Sequence, residues 1–162
     1  MGGLMDFPLT AEGEKLTKNM AEHIQKMNFD VIFCSPNQRA LTTMELSCHL
    51  ITAPRIISEP LREQSYGIMT GKKIDEIPYE VDQLYFENPY SFSHTSGESL
   101  EDVVNRVGLF IENEVMKSRY QNILLITHEN VIRGAIGYLR KLSLEVVNMK
   151  FANCSLTAYE FT

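Results

Sequence analysis

Three side chains stand where their types could do chemistry. His128 directly follows the apolar run Ile123-Leu124-Leu125-Ile126-Thr127. Arg39 lies just beyond a second run, Val31-Ile32-Phe33-Cys34, after the pair Ser35-Pro36. Glu63 precedes Tyr66-Gly67 in Leu61-Arg62-Glu63-Gln64-Ser65-Tyr66-Gly67. A histidine can donate, accept or carry a proton near neutral pH, and an arginine holds a permanent positive charge on a planar fork of donors. Each residue also has an ordinary use: a hydrogen-bonded structural histidine, a surface arginine, a solvated loop carboxylate.

The elements around them decide whether they can meet. Thr10 is a good helix N-cap with Glu12 in the first turn behind it. Leu16, Met20, Ile24 and Met27 then recur at helical spacing and are expected to face a core. Short continuous apolar runs such as Val31–Cys34 and Ile123–Thr127 are how strands buried on both faces read. A helix is predicted over 37–50, a short strand over 55–58, and a helix over 131–139. Between Glu59 and Gly97 no clean period survives, which predicts a long excursion with one short helix near 74–84. Ser99 caps a strong helix whose stripe is Val103, Val107, Phe110 and Ile111. Residues 155–161 alternate like an edge strand.

Strand and helix in alternation predict an α/β fold: a three-layer sandwich with a mostly parallel central sheet flanked by helices. Such sheets bind ligands beyond the carboxyl ends of their strands. Arg39 and His128 both follow such ends, so the topology alone brings them to one rim.

Composition narrows the classes. The 162 residues are expected to form a single domain over 1–162. A net charge of −6 argues against sequence-independent nucleic-acid binding, which needs a basic footprint. No apolar run reaches the length of a membrane span and nothing at the start reads as a secretory signal, so no membrane partner is expected. Cys34, Cys48 and Cys154 are scattered and lack metal-ligand spacing, which suits a reducing, cytoplasmic setting.

The motifs, taken in order, carry more. Pro8-Leu9-Thr10-Ala11-Glu12-Gly13, Ser35-Pro36-Asn37-Gln38-Arg39-Ala40-Leu41-Thr42-Thr43 and Leu61–Gly67 with Gly71 come first. Ser96-Gly97-Glu98-Ser99, Thr127-His128-Glu129-Asn130-Val131-Ile132-Arg133 and Asn153-Cys154-Ser155-Leu156-Thr157 follow. In this sequence and spacing the set resembles the histidine phosphatase (phosphoglycerate mutase-like) superfamily over residues 3 to 162. The resemblance implies metal-free and cofactor-free phosphoryl transfer from a small phosphorylated molecule through a phosphohistidine. It makes Arg39 and His128 ligands of the phosphoryl oxygens and Glu63 the acid that protonates the leaving oxygen. That acid needs a raised pKa, through burial or a neighbouring anion. The modest excursion favours a phosphomonoester phosphatase over a mutase, and its aromatic residues Tyr79, Tyr85, Phe86, Tyr90 and Phe92 could line a pocket or simply pack.

Two departures qualify this. The nucleophilic histidine of the family lies in an Arg-His-Gly motif upstream of the Pro-Leu-Thr signature, and here Met1 stands only seven residues before Pro8. The chain is thus expected to be truncated relative to the family, with its first strand missing and its site incomplete. His23 and His49 are expected on helix surfaces; His94, in the excursion, could approach the site. An inactive phosphate-ligand binding or interaction protein on the same fold is the competing reading. The missing strand is expected to lie between Val31–Cys34 and Ile123–Thr127, so that these strands pair directly or are completed by another chain, as in a homodimer. The second departure is Glu129, which is expected to repel a dianion and raise the pKa of His128 unless it turns away.

Overall fold

The structure is a computed structural model that describes residues 3–160. Helix α1 (Ala11–Ile24) starts where Thr10 Oγ1 accepts the Gly13 N–H at 3.1 Å. Strand β1 (Val31–Cys34) is buried throughout, and α2 (Gln38–Ser47) follows. Strand β2 (Arg55–Ile57) is exposed. The excursion then runs through three single turns, at Glu59–Leu61, Gly67–Met69 and Ile74–Glu76, into α3 (Tyr79–Glu87). Helix α4 (Leu100–Phe110) opens with a full capping box, Ser99 and Asp102 each bonding the other's backbone N–H, an arrangement worth about 1 kcal/mol per satisfied cap. A π-type segment, Ile111–Met116, prolongs it. Strand β3 (Ile123–Ile126), α5 (Glu129–Arg140) and α6 (Leu144–Val147) complete the elements.

The sheet is parallel and ordered β2-β1-β3. Alternate strand residues feed two cores, because successive side chains point to opposite faces. Val31, Phe33, Ile123 and Leu125 pack with α4, α5 and α6, where Phe33 meets Phe110 edge-on at 5.2 Å. Ile32, Cys34, Leu124 and Ile126 pack with α1 and α2. The result is the expected three-layer arrangement. Gly108 permits α4 and α5 to close, since a Cβ there would meet the Tyr138 ring.

Val31–Cys34 and Ile123–Ile126 pair directly, Val31 opposite Ile123 through Cys34 opposite Ile126, the first of the two outcomes expected for them. The far side of β3 is one of the two edges of the sheet among the described residues. Three expectations are corrected. Residues 155–160 form no strand, having no hydrogen-bonded neighbour in the sheet; Phe161 lies outside the described residues. Met27 is 42% exposed, because α1 ends at Ile24 and the helical period no longer holds it inward. Helix α2 also stops at Ser47, so His49 falls in the turn after it.

Candidate functional site

Adjacent ends of parallel strands position the site. The Ser35 N–H donates to the Ile126 carbonyl at 2.9 Å, which locks the carboxyl ends of β1 and β3 together and brings Ser35 beside His128. His128 is buried, and its Nε2 lies 2.7 Å from Ser35 Oγ. That hydroxyl donates to Asn37 Oδ1 at 3.2 Å, so the hydrogen between Ser35 and His128 belongs to Nε2. Asn37 Oδ1 also accepts the backbone N–H of Glu63 at 3.3 Å. A polar chain, His128–Ser35–Asn37–Glu63, thereby ties β3, β1 and the excursion to one point. Thr127 adds a second tie, its hydroxyl donating to the Leu61 carbonyl at 2.8 Å.

Arg39, in the first turn of α2, is half-buried. Its Nη1 donates to the Met5 carbonyl at 2.9 Å and its Nη2 to the Gly3 carbonyl at 3.1 Å. The Gln38 N–H at the same helix start binds Asp6 Oδ1 at 2.5 Å. Residues 3–6 are thus moored across the start of α2. Arg39, Glu63 and His128 all line one cavity of about 490 Å³, whose other walls are α1, β3 and residues 151–156. The three expected site residues are brought together.

Their electrostatics are not those of free side chains. Burial, helped by the charges of Arg39 and Arg106, pushes the His128 imidazole down to about 3, so it is neutral at physiological pH. The Glu63 carboxyl is pushed up, chiefly by burial and further by Glu129, against the opposing pull of the Gln64 N–H and Arg39. Glu129 does not raise His128: it turns to Arg133, 2.6 Å away, and its influence falls on Glu63 instead. The expectation for the acid is met in direction, whereas His128 is lowered, chiefly by burial and further by Arg39 and Arg106, because Glu129 has turned away to Arg133.

Several supporting residues escape a reading of the sequence. Glu98 is a clamp: its carboxylate takes Arg106 Nε at 2.8 Å and Nη2 at 3.1 Å, Arg62 at 3.3 Å and the Ser65 N–H at 3.0 Å. Arg106 also donates to the Pro60 carbonyl at 2.6 Å. Together they fasten the Glu63 loop onto α4. The available signal is a basic residue inside an otherwise apolar helix face, which needs an anion if buried. Asn130 donates to the Tyr66 hydroxyl at 3.1 Å, so the phenol hydrogen is free to donate elsewhere.

The other histidines lie apart. His23 and His49 are exposed. His94 is buried edge-on against Tyr66 and Phe92, its Nδ1 without a hydrogen bond, and it lines neither this cavity nor the smaller one beside it. Of the excursion's aromatic residues, Tyr66 lines the smaller cavity, while Tyr79, Tyr85, Phe86, Tyr90 and Phe92 line neither; Tyr79 and Phe86 face solvent, and Tyr90 packs on the core. Among the described residues no group of three or more His, Cys, Asp or Glu side chains converges as a metal-ligand set. Nor, among them, is any helix long and apolar enough to cross a membrane.

This geometry has relatives. A phosphoserine phosphatase 1 from Hydrogenobacter thermophilus is 30% identical over 166 residues, covering 97% of this chain and 75% of that protein. A 2,3-bisphosphoglycerate-dependent phosphoglycerate mutase from Cytophaga hutchinsonii is 30% identical over 170 residues, covering 99% and 79%. Among solved structures, Bacillus stearothermophilus YhfR superposes with a TM-score of 0.81 at 25% identity, covering 93% of this chain and 76% of that one. The α-ribazole phosphatase of Shigella flexneri gives 0.79 at 25%, covering 91% and 74%. The fold is that of phosphoglycerate mutase-like proteins. The family model of the histidine phosphatase superfamily (branch 1) matches residues 1–162, and with these two strands, their terminal residues and this shared rim the chain belongs to that superfamily.

Proposed function

We propose that the chain carries a phosphomonoester site of the phosphatase type, and that these 162 residues alone bind rather than turn over the ester. The observation that carries this is the convergence of Arg39, Glu63 and a neutral, buried His128 on one cavity at the carboxyl ends of parallel strands. Arg39 and His128 hold the phosphoryl oxygens. Arrival of a dianion offsets the repulsion from Arg39 and Arg106 and draws a proton onto the imidazole, where it is useful as a donor. Glu63, biased towards its protonated form, stands to protonate the leaving oxygen.

With a nucleophile supplied, phosphorus would pass from the ester oxygen to an imidazole nitrogen, the alcohol leaving with the proton of Glu63. Water would then cleave the P–N bond. No Arg-His-Gly occurs in the sequence, and neither cavity is lined by His23, His49 or His94. Both observations support inactivity of these 162 residues by themselves. The open edge of β3 suits a strand from a second chain, and a homodimer that completes the sheet is one source. Relatives of both activities match at 30% identity, so identity does not separate phosphatase from mutase. The modest excursion, three turns and one short helix, supports the phosphatase. Buried thiols at Cys34 and Cys48 suit a reducing cytoplasm.

The test is hydrolysis of p-nitrophenyl phosphate by the 162-residue chain, with His128→Ala at the same purity as control. No rate above the control, together with binding of inorganic phosphate that Arg39→Ala abolishes, is the expected result. Turnover lost in His128→Ala would instead show a working site without the usual nucleophile.

A further inference from the structure

The loop that carries the acid is held by its carbonyls. Pro60, Leu61 and Arg62 stand directly before Glu63, and a side chain from another element meets the carbonyl of each. Arg106 Nη1, from α4, donates to the Pro60 carbonyl at 2.6 Å and to that of Arg62 at 3.2 Å. Thr127 Oγ1, at the end of β3, donates to the Leu61 carbonyl between them at 2.8 Å. The Leu61 side chain is fully buried in the core that holds Val31, Phe33 and Val103, so the loop cannot slide without withdrawing it. These anchors differ in what else they touch. Arg106 lines neither cavity, whereas Thr127 lines the phosphate cavity and immediately precedes His128. Through one hydroxyl, the residue next to His128 grips the chain two residues before Glu63. The other link between the two, through Ser35 and Asn37, is a relay of three hydrogen bonds at 2.7, 3.2 and 3.3 Å, and so leaves more play.

We infer that Thr127 is the positioning residue of this site: its hydroxyl sets the gap between His128, which holds the phosphoryl group, and Glu63, which serves the leaving oxygen. The inference rests on the phosphate site proposed above. A proton donor must lie within hydrogen-bond reach of the oxygen it serves, and a displacement of about 1 Å forfeits much of its effect. A hydroxyl bonded to a carbonyl fixes both a distance and a direction, which packing alone does not. A methyl in its place fills much the same space, loses the bond and leaves the Leu61 carbonyl without that donor.

The experiment follows the Glu63 carboxyl by carbon NMR across a pH titration, with and without saturating inorganic phosphate, its resonance identified by its absence from Glu63→Gln. In wild type the bound anion is expected to make Glu63 titrate about one pH unit higher, a tenfold gain in protonation, because a like charge within reach opposes ionisation. Thr127→Val, similar in shape but without the hydroxyl, is expected to lose this phosphate-linked rise, and Thr127→Ser to keep it. Thermal unfolding is read in parallel. A role confined to holding the fold would lower the midpoint of Thr127→Val and leave the rise in place, which overturns the inference while the phosphate site stands. Loss of the rise in Thr127→Ser as well, or its absence from wild type that binds phosphate, also overturns it. Should Thr127→Val fail to fold, Thr127→Ala carries the same expectation. Failure of wild type to bind phosphate overturns the phosphate site and this inference with it.

Discussion

His128 shows how far an environment can move a single side chain. Unfolded, its imidazole has the ordinary value of 6.5; folded, burial and the charges of Arg39 and Arg106 bring it to about 3. Between those values the unfolded chain binds a proton that the folded chain refuses, so this group's contribution is fully present above pH 6.5 and is lost as pH falls towards 3. The slope approaches about 1.4 kcal/mol per pH unit where the difference is one proton. Glu63 acts in the opposite sense: its raised value favours the folded state below 4.5, and that contribution fades as pH rises through the folded pKa. Urea midpoints of wild type and His128→Asn, compared at each pH, cancel Glu63 and isolate the histidine. Wild type is expected to lose stability faster than the variant on acidification from 6.5; parallel curves would contradict a buried neutral imidazole. That Arg39, Glu63 and His128 would come to one cavity was legible, because strand ends and motif spacing name them. Arg106 was not, since its effect on His128 depends on a cation folded back from α4 that no local pattern announces.

At the scale of elements, the loop bearing Glu63 owes its shape to its neighbours. Gly67 sits at φ +53°, and a Cβ there would lie 2.1 Å from the Thr95 carbonyl oxygen and 2.6 Å from the Gly97 nitrogen. Both are backbone atoms of the segment leading to Ser99, and neither can turn aside. Gly71 also has a positive φ, +86°, but its Cβ would meet the flexible end of Met5. Gly67→Ala is therefore expected to cost several kcal/mol and Gly71→Ala about 1 to 3, read as the difference in thermal unfolding between the two variants. Equal losses would mean that φ alone matters and the close approach does not. Helix caps and stripes were readable here: Thr10 and Ser99 cap as expected, and Val103, Val107, Phe110 and Ile111 are all buried. The short helix near 74–84 is present but displaced to Tyr79–Glu87, starting directly after Pro78. The apolar pattern of this exposed helix faces no core and could not date its start.

For the whole molecule the open edge of β3 matters most. Asp30 and Ser35 N–H groups bond the carbonyls of Asn122 and Ile126, so even-numbered residues of this strand face β1. By the alternation of a parallel ladder, Ile123, Leu125 and Thr127 turn their backbone groups to the other side, beside the 490 Å³ cavity. Their amides are expected to exchange with solvent faster than those of Leu124 and Ile126 in dilute protein. If a homodimer completes the sheet, their protection rises with protein concentration; protection that is high and independent of concentration would argue against an open edge. The sequence by itself determined the α/β alternation, the two buried strands, the capped helices and the residues at the strand ends, because each rests on local spacing and hydrophobic period. Only the tertiary structure decided that β1 and β3 are neighbours, that residues 155–160 form no strand, and that the charge of Arg106 bears on His128. Those outcomes depend on which hydrogen-bonding edges and charges meet across long stretches of chain, and no local pattern encodes a partner.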